Sequence, residues 1–187
     1  MNGYFQLINE EAVTSIMLYP ATDGGEELDL AEAAEYLRAV DVEFNSADFY
    51  AAGRKIEKEP IKVQLCRKKT RAKHEMINIR VAGDNMSVTA SFYAPSNDGV
   101  VMSKTEILTE LKHKGVVFGI QDKVLDGFLK NREYCKEFEI ALGQDKTPGQ
   151  DARIEFQFNT DTKARPTLQE DGSVDFFHLN TINNCKK

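Results

Sequence analysis

Ala12-Val-Thr-Ser-Ile-Met-Leu-Tyr-Pro20 and Ser87-Val-Thr-Ala-Ser-Phe-Tyr-Ala-Pro95 are two β-rich runs, each ending at a proline. A loop of turn formers follows each, Asp23-Gly24-Gly25 in one and Asn97-Asp98-Gly99 in the other. Next comes a helix start, Asp29-x-x-Glu32 or Ser103-x-x-Glu106. There a side-chain oxygen can accept from a free helix N–H while the glutamate three positions on reaches back. Leu30, Ala33, Ala34 and Leu37 then recur at helical spacing, as do Ile107, Leu108 and Leu111. Each helix breaks, over 40–45 and 115–119, and a second begins near Asp48 and Asp122. Extended segments over 61–65 and 138–142 close the two units. The reading is strand, strand, helix, helix, strand, made twice.

The two stretches register without gaps at an offset of 74 residues. Tyr19/Tyr93, Gly25/Gly99, Glu32/Glu106, Leu37/Leu111, Val42/Val116, Phe44/Phe118, Asp48/Asp122 and Gly53/Gly127 are identical pairs. Unrelated sequences aligned over the same span share about 2. Between the copies, 75–82 and 86–94 flank Gly83-Asp84-Asn85, a good hairpin turn. Beyond residue 143 the helical signal stops. Residues 152–159 alternate Ile154, Phe156 and Phe158 as a half-buried strand does, and Glu170-Asp171-Gly172 is a turn before a strand over 173–177. The expectation is an α+β protein of two related units, over 1–75 and 76–165, followed by an extended β segment over 166–187. The chain reads as cut from something longer.

Composition narrows the function. The 187 residues carry 24 Lys+Arg against 30 Asp+Glu, a formal charge of -6, where a general phosphate binder carries the opposite sign. No apolar run reaches the roughly 18 residues of a membrane span, so no membrane insertion is expected. Residues 1–11 lack the basic start and apolar run of a secretion signal. Cys66, Cys135 and Cys185 are odd in number and far apart, which suits reduced thiols and a cytoplasmic protein.

Reactive constellations are absent from the pattern. His74, His113 and His178 fall on different elements, with no His-x-x-x-His or Cys-x-x-Cys. There is no Gly-x-Ser-x-Gly. Gly143-Gln-Asp-Lys-Thr-Pro-Gly149 lacks the Gly-Lys-Ser/Thr ending of a phosphate loop and no helix follows it, so its glycines are expected to serve positive φ angles in a turn. Asp84, Asp122, Asp145, Asp151, Asp171 and Asp175 sit at turns or helix starts, without the alternation of a calcium loop. No enzyme, metal or cofactor is expected. Val116, Phe118, Leu125, Phe128 and Leu129 are expected as core, or in part as a docking groove.

The sharpest charge feature is Arg67-Lys-Lys-Thr-Arg-Ala-Lys-His74. Arg67, Lys68, Lys69, Arg71 and Lys73 are the candidate partner-binding residues. A solvated loop between strands explains the strip, as does a basic contact for an acidic protein or for nucleic acid. No aromatic residue lies between Arg67 and Asp84 to stack on a base.

Five ordered segments carry a family resemblance. Gly83-Asp-Asn-Met86 fits an Asp-x-Met element, and Gly115-Val-Val-Phe-Gly-Ile-Gln-Asp-Lys123 a glycine-ended helix followed by Gly-Ile and a second helix. Ala141-Leu-Gly-Gln-Asp-Lys-Thr-Pro-Gly-Gln-Asp-Ala152 fits a small-x-Gly-x-x-x-x-Pro-Gly-x-Asp segment. Glu170-Asp-Gly-Ser-Val-Asp-Phe-Phe177 and Leu179-Asn-Thr-Ile-Asn-Asn184 fit the runs beyond it. From about residue 76 onward the chain resembles the N-terminal region of the flagellar assembly protein A (FapA) family. The resemblance implies a scaffold acting through protein contacts in flagellar assembly or polar organisation, and a β-helix-like region further on. It brings no known active site. The expected partners are proteins, with nucleic acid as the alternative through the basic strip. The first 75 residues match less clearly.

Overall fold

The structure is a computed structural model and describes residues 1–155 and 166–176. Its elements run β1 (Tyr4–Asn9), β2 (Thr14–Tyr19), α1 (Leu30–Ala39), α2 (Ser46–Gly53), β3 (Ile61–Cys66), β4 (Met76–Val81), β5 (Ser87–Tyr93), α3 (Lys104–His113), α4 (Asp122–Asn131), β6 (Glu137–Leu142), β7 (Thr167–Leu168) and β8 (Val174–Asp175). The fold is α+β. The order strand, strand, helix, helix, strand occurs twice, as repeat 1 (β1 to β3) and repeat 2 (β4 to β6). Each forms a three-stranded antiparallel sheet, β1-β2-β3 or β4-β5-β6, with its second strand in the middle.

The repeats agree in fine backbone detail. A register shift lies between Thr14 and Ser15 in β2 and between Val88 and Thr89 in β5, 74 positions on. The first helix of each ends alike. Val42 N–H bonds to the Leu37 carbonyl and Asp41 N–H to Arg38, as Val116 does to Leu111 and Gly115 to Lys112. That is the paired C-terminal bonding in which the residue after the cap turns left-handed. Asp41 accordingly has φ 55° and Gly115 φ 81°. The loops after β2 and β5 repeat a further set. Thr22 N–H bonds to the Met1 carbonyl as Ser96 N–H does to Lys73, and Gly3 N–H bonds to Glu26 as Glu75 N–H does to Val100.

Helix starts show where the repeats part. Ser103 and Glu106 form the full reciprocal capping box at α3. At α1 the Asp29 carboxylate accepts from Ala31 N–H at 2.7 Å, but Glu32 does not reach back; it accepts from the Tyr93 hydroxyl of repeat 2 at 2.8 Å. Asn45 caps α2, accepting from Ala47 N–H at 3.0 Å, whereas Gln121 at α4 makes no side-chain cap.

Each repeat packs its helices on its own sheet around a separate core. Phe5, Leu7, Ile16, Leu18, Leu37 and Phe49 are fully buried in the first; Phe92, Ile107, Leu111, Leu125, Phe128 and Ile140 in the second. Tyr93 crosses between them. Its ring lies 5.7 Å from Phe5 and 5.2 Å from Tyr36, in the core of repeat 1. Burying an aromatic ring of this size stabilises the seam by about 2 kcal/mol.

Three expectations need correction. Residues 152–155 belong to no strand and are exposed, with Ile154 77% accessible; Phe156 and Phe158 lie outside the described residues. Neither Gly143 nor Gly149 is among the positive-φ glycines. Gly143 serves close approach instead: a Cβ there would lie 3.0 Å from the Met86 sulfur, and its N–H bonds to the Met86 carbonyl. Phe118 is not core. It is 65% exposed, while Val116, Leu125 and Phe128 are buried and Leu129 half-buried.

By internal contacts the chain divides into Met1–Asp145, which holds both repeats, and Lys146–Lys187. In the latter, β7 and β8 pair across the expected turn, where Gly172 has φ 83° and Gly172 N–H bonds to the Gln169 carbonyl. No helix among the described residues is long and apolar enough to cross a membrane.

Candidate interaction surfaces

The basic strip is the connection from β3 to β4, hence from repeat 1 to repeat 2. Its backbone is pinned from both sides. Thr14 Oγ1 donates to the Lys68 carbonyl at 2.9 Å, Thr70 N–H donates back to Thr14 Oγ1 at 3.0 Å, and Lys73 N–H donates to Ser96 Oγ at 2.9 Å. Lys68 pairs with Glu43 at 2.9 Å and Lys69 with Asp98 at 3.8 Å. The Glu43 carboxylate holds the Lys68 ammonium above its ordinary value. Arg67 and Arg71 are exposed and Lys73 is half-buried, and none of the three has an ion pair among the described residues. The strip is therefore one continuous surface with two of its five charges matched. Exposed pairs of this kind contribute little to stability because solvent and salt screen them.

The histidines do not converge. His74 Nδ1 accepts from Val100 N–H at 3.2 Å, His113 is exposed in the last turn of α3, and His178 lies outside the described residues. No group of three His, Cys, Asp or Glu among the described residues has a metal-binding arrangement.

Sequence reasoning passed over Glu75. It is 3% exposed, beside the seam, and its carboxylate accepts from Met102 N–H at 2.7 Å, from the Tyr134 hydroxyl at 2.8 Å and from Arg132. Arg132 Nη2 also donates to the Met102 carbonyl at 3.1 Å. Burial and the adjoining Glu75 carboxylate raise the Tyr134 phenol well above its ordinary value. The one signal in the sequence is that Glu75 stands where repeat 1 has Gly3, outside the stretch that registers without gaps.

Among the concavities of the described residues, one is acidic and one apolar in its lining. One, of about 310 Å³, is lined by Glu26, Asp29, Glu32, Glu35 and Glu137, with Arg80 paired to Glu137 at 2.7 Å. Cys135 lies at its wall, where burial first and Glu32 second push the thiol up to about 12. A thiol held protonated is a poor nucleophile. The other, of about 270 Å³, is lined by Val81, Met86, Val117, Phe118, Leu142 and their neighbours. Val117 and Phe118 are 72% and 65% exposed. The counterpart of Phe118, Phe44, instead packs 5.5 Å from Phe49 on α2. At 74 positions from Phe49, α4 offers Lys123, and so Phe118 has no ring to fold against among the described residues.

Fold and surfaces together define a tandem-repeat α+β module whose halves are joined by hydrogen bonds from Asn9 and the Tyr93 hydroxyl. A family profile for the Flagellar Assembly Protein A N-terminal region matches residues 77–187. The chain belongs to that family, which ties it to flagellar assembly. The match covers repeat 2 and all that follows it, and leaves repeat 1 outside. No curated protein and no solved structure matches the chain.

Proposed function

We propose that the chain is a non-catalytic, cytoplasmic protein-interaction module of a FapA-family protein, positioning assembly factors through surface contacts. The observation that carries the reading is the commitment of its polar groups to structure. Glu75 is bound by three donors, Asp98 accepts from Ser96 and Asn9, and Lys104 pairs with Asp122 and Asp126. What stays available is surface: the Val117–Phe118 apolar pair and the basic strip. Exposed apolar residues set beside polar ones suit a protein partner. The test is affinity capture from host lysate, with and without nuclease, comparing the native chain with Phe118→Asp and with an Arg67→Glu/Arg71→Glu double variant. Nuclease-resistant recovery of flagellar or polar proteins, lost in a surface variant, supports the reading. Recovery that depends on nucleic acid defeats it.

A second reading rests on Arg67, Arg71 and Lys73, which have no ion pair among the described residues. It makes the strip a nucleic-acid contact. Affinity for RNA or DNA would then fall steeply with salt, and the double variant would flatten that slope. Absence of binding near physiological salt defeats it.

A further inference from the structure

The seam between the repeats joins two different surfaces. Repeat 1 gives the outer edge of β1, and repeat 2 gives the loop after β5. Asn97 N–H donates to the Leu7 carbonyl at 3.1 Å, and the Asn97 side chain accepts from Asn9 N–H at 2.7 Å and donates to the Asn9 carbonyl at 3.0 Å. Gln6 Nε2 donates to the Pro95 carbonyl at 3.0 Å. Each repeat carries both kinds of surface, so among the described residues one of each is left unused.

The unused edge is β4, the counterpart of β1. Met76 and Tyr4 both pair with the tyrosine that ends the central strand, 72 positions apart. Strand edges left open are normally blunted by charge, proline, a bulge or a covering loop. β1 is covered as described. β3 follows Pro60 and carries Lys62, and β6 is covered by the bridge from Ile120 to Ala141. β4 has no proline, bulge or covering loop among the described residues. Its six residues pair with β5 without a shift, its one charge is Arg80, and its outer backbone has no hydrogen-bond partner among the described residues. Val81 at its end is 42% exposed. The unused loop spans 20–24: Pro20 and Ala21 are half-buried and residues 22–24 exposed, while Pro95 in repeat 2 is buried.

We propose that a second copy of this chain docks there head to tail, its loop after β2 lying on the β4 edge of the first. The contact continues the internal seam from one molecule to the next. By the repeat offsets, Asp23 N–H meets the Ile79 carbonyl and the Asp23 carboxylate accepts from Val81 N–H. Asp23 has no amide donor to replace that of Asn97, and at φ 52° it takes the loop along its own path. Tyr19, the counterpart of Tyr93, stays stacked on Tyr4 at 4.4 Å. The association is therefore weaker than the internal seam. Unlike surfaces meeting in this way do not close at two, and the series grows as a ring or an open chain. The inference rests on the repeat geometry and is independent of the partner reading above.

Sedimentation equilibrium of the full chain from about 10 µM to about 1 mM tests it. The expected result is a mass that passes the dimer without a plateau. Ala21→Lys and Val81→Lys each give monomer alone, yet mixed they give a dimer and stop, because each supplies the surface the other has lost. Circular dichroism checks that each variant folds, and Thr22→Glu, at an exposed position, replaces Ala21→Lys if that one does not. A monomer at every concentration overturns the proposal. So does a dimer plateau that Ala21→Lys leaves intact, which would mean symmetric pairing of β4 with β4.

Discussion

Repeat 1 and repeat 2 share a backbone pattern but not the side chains that service it. At the loop after the central strand both make the same two bonds, yet Gly3 in one occupies the place of Glu75 in the other. A Cβ on Gly3 would lie 2.7 Å from Leu28 N, so that site admits no side chain as it stands. In repeat 2 the corresponding N–H, that of Met102, is the very group the Glu75 carboxylate binds. The same orphan donor is crowded against a glycine in one copy and satisfied by a buried charge in the other. Main-chain hydrogen bonding constrains a duplicated fold more tightly than side-chain chemistry does, because every backbone group needs a partner whichever residue carries it.

The largest break in that likeness should follow from Glu75→Ala. It leaves Met102 N–H and the Tyr134 hydroxyl without their acceptor and Arg132 without its counter-charge. Removing one member of a buried pair costs about 3 to 5 kcal/mol, and partial exposure of Arg132 puts this case near about 3. Urea denaturation should show the loss. Charge alone is not the reason if Glu75→Gln is nearly as stable as the native chain, and that outcome would leave hydrogen bonding as the cause.

Next in size is the seam. Asn97→Ala removes both side-chain bonds to the Asn9 backbone and should cost about 2 kcal/mol. The counterpart change, Asp23→Asn, keeps a residue that tolerates positive φ and should stay within about 0.5 kcal/mol in dilute solution. Equal losses at the two positions would mean that the loops are equally engaged, against the distances found here. A smaller and opposite pair of effects is expected at the helix ends. Gly115→Ala places a Cβ at φ 81° and should cost about 1 kcal/mol, while Asp41→Gly at φ 55° should gain up to about 1 kcal/mol. Thermal melts of both variants give the signs directly.

Much of this architecture was legible because it is written locally. The turn at Gly83-Asp84-Asn85, the caps Asp29 and Ser103, and the apolar spacing of the first helices each specify their element without reference to distant residues. The seam was not legible, because Tyr93, Asn97 and Glu32 read equally well as members of their own repeats. Glu32 fits a capping box until Tyr93 arrives from 61 positions away. Phe118 misled for the same reason: its neighbours Val116 and Leu125 are core, and only the exchange of Phe49 for Lys123 in the facing helix leaves it outside. The basic strip was visible as charge but not as a pinned connection between repeats, since its anchors Thr14 and Ser96 lie far off in the chain.

The smallest expected effect tests the seam through acid. Asp98 accepts from Ser96 Oγ at 2.7 Å and from Asn9 Nδ2 at 2.9 Å, with Lys69 nearby. The Ser96 hydroxyl first, and the Asn9 amide after it, hold its carboxyl below the ordinary carboxylate value. A depressed folded-state value gives stability that is present above the unfolded value, near about 4, and is lost as pH falls through the folded one. Gly24 in repeat 1 has no such group. The stability difference between the native chain and Asp98→Asn should therefore be positive at pH 7 and shrink toward pH 3. Glu106, whose carboxyl is also held low by the Ser103 N–H, titrates in both chains and cancels from the difference. A difference that persists unchanged to pH 3 would show that the amide is a worse fit for reasons of shape, and that the Asp98 charge does not hold the repeats together.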